Sequence, residues 1–177
     1  MKSDVFILPG LYNSGPQHWQ TYWENEYGFI RIEQDDWNTP VCDDWTERID
    51  DTLALYPHHQ VILVAHSLAC CTTVKWAEKY KRVIKGALLV APSDTEAPNY
   101  PEGTTGFTPM PLFTLPFPSI VISSNNDEYV SVERVQYFAK NWGSELVMMD
   151  RLGHINSASR LGLWPEGFER LKRLMEG

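Results

Sequence analysis

Residues Val61–Ala77 read VILVAHSLACCTTVKWA, and the fold turns on where that stretch changes character. Val61 to Val64 are aliphatic and suit a strand buried on both faces. From Leu68 onward, small and helix-compatible residues lead into Val74, Lys75, Trp76 and Ala77, which suits a helix. Ser67 sits at the junction with little room for a loop. A serine on a tight strand-to-helix turn is one way to present a nucleophile. It is also a common plain helix N-cap. The rest of the chain has to decide between the two.

Outward from this stretch, short apolar runs alternate with helical patterns. Val5–Leu8 reads as the first strand, ending at Pro9-Gly10. Pro16 opens a helix carrying Trp19, Tyr22 and Trp23 at i, i+3, i+4 spacing. Phe29–Ile32 reads as a second strand. Asp43–Tyr56 reads as a helix whose one face holds Trp45, Ile49, Leu53 and Tyr56, with Asp43 and Asp44 suited to its N-terminus. Val61–Ala65 is the third strand and Leu68–Tyr80 its helix. Gly86–Ala91 and Ser119–Ser123 follow as strands. A helix over Val132–Trp142 has Ser131 as its N-cap and Gly143 as its stop. Glu145–Met149 is the sixth strand, and Pro165 starts a last helix bearing Phe168, Leu171 and Met175. Such alternation implies one α/β domain over 1–177, with about six mostly parallel strands and helices on both faces. Seven of the 12 prolines fall between Pro92 and Pro118, which argues against a full helix there. That segment reads equally as a long structured connection or as a cover over a pocket.

Bulk properties narrow the function. A net charge of −8 with no basic cluster argues against nucleic-acid binding. The apolar runs are far too short for a membrane span, and MKSDVFILPG is too short in its apolar part for a signal peptide. Cys42, Cys70 and Cys71 offer no disulfide framework, since the adjacent pair lies on one helix. They read as small core residues in a reduced, cytoplasmic setting, with no metal implied. His58-His59, beside Pro57, reads as a polar turn.

In an open parallel sheet, loops at the C-terminal ends of the strands share one edge. Ser67 follows strand three, Asp127 follows strand five and His154 follows strand six. Their order in the chain, Ser then Asp then His, is that of α/β-hydrolases. A serine hydroxyl needs a base to take its proton, imidazole can take and return it, and a carboxylate fixes the imidazole tautomer. Asp94, Glu128 and Asp150 compete with Asp127 for the last role, and Asp127 has the best position. The loop Gly10–Gly15 after strand one reaches the same edge beside strand three. The backbone N–H groups of Leu11 and Leu68 are therefore the expected donors to an oxyanion. His66 is assigned to packing or turn support. Tyr12, His18, Trp19 and Trp37 come from neighbouring segments and are expected to shape a partly aromatic substrate pocket, although Trp19 at helical spacing also suits a core.

AHSLAC, SSNNDEYVS and above all GHINSASRLGLWPEG resemble the small serine hydrolases related to retinoblastoma-binding protein nine, as do LPGLYNSGPQHWQTYWE and QDDW for their bacterial branch. The resemblance spans nearly the whole chain. It implies a compact α/β-hydrolase fold without a large cap domain, with Ser67 as nucleophile, Asp127 as acid, His154 as base and no cofactor. It implies ester or amide hydrolysis without naming a substrate. Ala65 and Ala69 stand where such elbows commonly carry glycine, and small size is the physical demand there. Leu68-Ala69-Cys70-Cys71-Thr72 lacks the glutamate of a retinoblastoma-pocket motif, so that partner is not expected. The alternative from another class is a binding protein on a hydrolase scaffold with an idle triad. A nucleotide-binding, flavodoxin-like reading would need a phosphate loop after strand one, and PGLYNSGP explains neither Asp127 nor His154.

Overall fold

The computed structural model describes residues 3–177. Six strands form one sheet: β1 (Asp4–Leu8), β2 (Ile30–Arg31), β3 (Val61–His66), β4 (Gly86–Val90), β5 (Ser119–Ser124) and β6 (Glu145–Met149). They lie in the order β2-β1-β3-β4-β5-β6, and every pairing is parallel. The helices are α1 (Trp19–Tyr27), α2 (Cys42–Leu53), α3 (Leu68–Tyr80), α4 (Val132–Trp142) and α5 (Pro165–Glu176). This is a compact α/β-hydrolase fold, with no cap domain among the described residues. No helix among the described residues is long and apolar enough to cross a membrane.

The two-residue period of a strand sorts the core into two layers. Phe6 and Leu8 point into a cluster with Trp45 and Ile49 of α2, Val74 of α3 and Phe138 of α4. Val5 and Ile7 point the other way, against Trp19 and Trp23 of α1 and Leu171 and Leu174 of α5. β3 and β4 are fully buried along their length, which explains their unbroken apolar runs. The helix ends follow local chemistry. Ser131 Oγ accepts from Arg134 N at 3.2 Å, and Gly143 closes α4 in the left-handed region at φ 68°, where a side chain would be strained.

The proline-rich segment is a connection for most of its length. Phe107, Met110, Leu115 and Phe117 are buried in the layer that also holds α2, α3 and α4. Its backbone is tied down by Cys42 N donating to Thr105 O at 2.8 Å and by Leu115 N donating to Trp142 O at 2.9 Å. It therefore fills the place of a crossover helix between β4 and β5.

The chain runs outward from β1 to β2, then returns to the other side of β1 for β3. That reversal leaves a crevice beyond the C-terminal ends of β1 and β3, the position at which open α/β sheets bind ligands.

Candidate active site

Ser67 stands at the end of β3 with φ 57° and ψ −121°. A non-glycine residue held there costs on the order of 1–3 kcal/mol and persists only where its surroundings enforce it. Ser67 N donates to Val90 O at 3.0 Å. The flanking Ala65 and Ala69 are 0% and 2% exposed, so the need for small residues is met by alanine. Gly10 on the neighbouring loop is pressed against the turn. A Cβ on it would lie 2.8 Å from His66 O, 2.9 Å from Ser67 Cβ and 3.2 Å from Leu68 N. Ser67 occupies the N-cap position of α3, yet its side chain makes no capping bond. The hydroxyl is directed elsewhere.

Its Oγ lies 2.8 Å from His154 Nε2. His154 Nδ1 lies 2.9 Å from both carboxylate oxygens of Asp127. A carboxylate only accepts, so Nδ1 carries the proton and Nε2 is free to accept from the serine hydroxyl. Both partners are sequestered, with side-chain exposures of 7% for His154 and 0% for Asp127. Tyr129 N donates to Asp127 Oδ1 at 2.9 Å and fixes the carboxylate further.

The loops bearing Asp127 and His154 are bonded to one another. Ser124 Oγ accepts from Leu152 N, and Asn126 Oδ1 from Gly153 N, each at 2.8 Å. Asn125 Oδ1 accepts from Arg151 N at 2.9 Å. The SSNND run thus ties the turn after β5 to the turn after β6. Of the competing carboxylates, Asp94 is bound to Arg134 at 2.7 and 3.0 Å. Asp150 is exposed and accepts from Asn125 Nδ2. Neither reaches His154.

Two further histidines back the site. His66 Nε2 donates to the His154 carbonyl at 3.0 Å, which holds the His154 loop against β3. The ring of His18 lies 4.7 Å from that of His66. His18 Nδ1 accepts from Gln20 N at 3.2 Å and caps α1, so its Nε2 carries the proton, buried and without a partner. Burial, then the nearby positive charge of Arg31, lowers the His18 pKa to about 3. Burial likewise pushes His66 well below the usual imidazole value. Both rings are neutral at any ordinary pH. Gln20 locks the α1 entry by donating to Leu8 O and Val64 O, each at 3.1 Å, and accepting from Ser14 Oγ at 2.6 Å.

A cavity of about 310 Å³ opens over Ser67 and His154, at the small end of the usual ligand-site range of roughly 300–1,000 Å³. Leu11, Tyr12 and His18 line it. Trp19 does not. It is 1% exposed, packs on Trp23 and Trp164, and donates from Nε1 to Ile155 O at 2.8 Å. Trp37 is also away from the cavity. Its ring packs on Trp45, and only its carbonyl serves the loop, accepting from Tyr12 N at 2.9 Å. Both aromatics sit where helix and core packing put them, and both are corrections to the sequence expectation. Leu68 is fully buried, and its N–H belongs to the first turn of α3, where backbone donors have no intrahelical partner. The sequence reading missed Tyr100, Tyr129, Asn156 and Ser157, which also line the wall. Tyr129 is foreshadowed by its place two residues after Asp127. Tyr100 carries no local signal.

A sheet of this order, with a strained serine turn and a buried His–Asp pair at its switch point, defines the α/β-hydrolase class. The comparisons narrow it. The family model for serine hydrolases matches residues 5–173, and the chain belongs to that family. It is similar to a YdeN-like hydrolase from Pectobacterium atrosepticum, with 30% identity over 99% of this chain and 91% of that one, at a TM-score of 0.87. The ydeN gene product of B. subtilis shares the fold at 20% identity over 100% of both chains, with a TM-score of 0.85. Est1E from Butyrivibrio proteoclasticus shares it at 11% identity over 99% of this chain and 90% of its own, with a TM-score of 0.70. No curated protein matches the chain. The protein is an enzyme, a serine hydrolase.

Proposed function

We propose that the enzyme cleaves small carboxylic esters or amides through an acyl-enzyme on Ser67. His154 takes the serine proton as Oγ attacks the acyl carbonyl, then returns it to the leaving group. Asp127 keeps the imidazole in the tautomer that can accept and stabilises its cation. The Leu11 and Leu68 amides donate to the oxyanion. Water, activated by the same histidine, then releases the acid. The observation that carries this reading is the Ser67–His154–Asp127 relay, with links of 2.8 and 2.9 Å. No cofactor enters the scheme.

The test is labelling with a fluorophosphonate probe. Wild type labels, while Ser67→Ala and His154→Ala do not. Asp127→Asn labels far more slowly, because loss of the orienting carboxylate from a Ser-His-Asp triad costs about 10⁴ in kcat. Asp94→Asn keeps labelling at near the wild-type rate, since its carboxylate serves Arg134. A folded wild type that resists probes of every size sinks the proposal, and so does a Ser67→Ala variant that still labels.

A further inference from the structure

The charge of the cavity wall has a consequence for substrate choice. Of the residues that line the cavity, none is Asp, Glu, Lys or Arg. Asp127 is behind His154 with its carboxylate fully buried. His18 and His66, the two histidines of the wall besides His154, are held neutral by burial. What faces a ligand is a set of dipoles: tyrosine hydroxyls, the Asn156 amide, the Ser157 hydroxyl and imidazole rings.

The cations close to the site are committed elsewhere. Arg31 approaches from behind Asn13, and each of its five N–H groups is used. Nε and Nη2 serve Glu24, Nη1 donates to Asn13 Oδ1 and Ser14 O, and Nη2 also donates to Thr21 Oγ1. Arg134 is held by Asp94 and Glu96. Beyond Asn156 and Ala158, a separate depression carries Glu128 and Arg151, one charge of each sign, and so offers no net pull. An ionic group entering the cavity would shed water and meet no counter-ion, and that penalty is what excludes charges from such sites.

We propose that the cavity selects uncharged substrates, in which neither the acyl part nor the leaving group bears a carboxylate, phosphate or ammonium. This rests on the serine chemistry proposed above. Neutral hydrogen bonds from the tyrosines, Asn156 and Ser157 orient such a substrate, and discrimination comes from the unpaired charge of its ionic analogues.

The test compares 4-ethylphenyl acetate with 4-(carboxymethyl)phenyl acetate and 4-(dimethylaminomethyl)phenyl acetate. The last two are an anion and a cation at pH 7. Each rate is corrected for spontaneous hydrolysis, and fluorophosphonate labelling is run alongside. The neutral ester is expected to exceed both ions by about tenfold or more in kcat/KM. Ala158→Lys places a cation at the exposed rim, and it is expected to raise the anion-to-neutral ratio several-fold. Equal turnover of the three esters, or a preference for either ion, overturns the selectivity while leaving the serine chemistry standing. An unchanged ratio in Ala158→Lys also overturns it, because shape rather than charge would then be setting the preference. Absence of labelling in folded wild type removes the chemistry and the selectivity together.

Discussion

Replacing Gly10 by alanine tests how tightly the β1 loop is pressed on the serine turn. The added methyl would meet His66 O at 2.8 Å, about 0.6 Å inside the 3.4 Å at which ordinary contact begins, and Ser67 Cβ at 2.9 Å. The first is backbone and the second is the β-carbon of Ser67, so neither can swing aside. The loop must retreat by about half an ångström, and the Leu11 amide retreats with it. Overpacking of this kind costs about 1–3 kcal/mol, and each kcal/mol lowers Tm by about 2–4 °C in a chain of this length. A displaced oxyanion donor lowers kcat by about 10- to 100-fold with little change in KM. The measurements are thermal unfolding and steady-state hydrolysis of a neutral aryl ester. Gly15→Ala is the control, because a Cβ there meets nothing within 4 Å. If Gly10→Ala melts with wild type and keeps kcat within about twofold, the account of the close approach is wrong.

Three other outcomes are expected. Ser67→Gly removes both the nucleophile and the strain of φ 57°, ψ −121°; it should abolish labelling yet raise stability by about 1 kcal/mol in urea titration. A variant less stable than Ser67→Ala would contradict that account of the turn. Acid should destabilise the fold through His18 and His66. Their folded pKa values are lowered, to about 3 for His18, so below the unfolded value near 6.5 the unfolded chain binds more protons. This contribution is complete above about pH 6.5 and is lost as pH drops below it, by about 2 kcal/mol at pH 5 for His18, with His66 acting in the same direction. His18→Asn, which keeps a capping side chain, should flatten the curve measurably. The thiols should be silent: burial raises the pKa of Cys42 to about 11 and lifts Cys70 and Cys71 as well. A disulfide exchange reagent should count no thiol in the native protein and all three after denaturation.

The sheet was legible because buried parallel strands leave unbroken apolar runs, as at Val61–Val64 and Gly86–Ala91. The edges were less so. β3 extends to His66 because that residue continues the ladder opposite Val90, a pairing no local pattern records. α2 ends at Leu53 rather than Tyr56, with Pro57 close behind to disfavour helix. Ser67, Asp127 and His154 could be placed on one sheet edge from strand ends and chain order, and their hydrogen bonds require coordinates. The pocket wall was the obscure part. Trp19 and Trp37 suggest lining because their segments run near the site, but side-chain direction puts Trp19 in the core and packs the half-buried Trp37 against it. Tyr100 arrives from a connection with no periodicity to read. Gly10 was visible as the end of a strand, though its close contact with the turn after β3 is a property of two loops at once.

The tie between the β5 and β6 turns has a consequence for how this enzyme can diversify. Ser124, Asn125 and Asn126 bind the backbone of residues 151–153 into the Asp127 turn, so Asp127 and His154 travel as one block. Ser67 is fixed independently, on the opposite side of β4. The alignment between the two blocks rests on the His66 Nε2–His154 O bond behind the site and is read at one gap, from Ser67 Oγ to His154 Nε2. Residues that shape the cavity without bridging that gap, such as Tyr100 and Ser157, are free to drift toward new substrates. A change that widens the gap silences every substrate together. Divergence of this scaffold should therefore yield either altered specificity at full chemical competence or outright loss, with few graded intermediates.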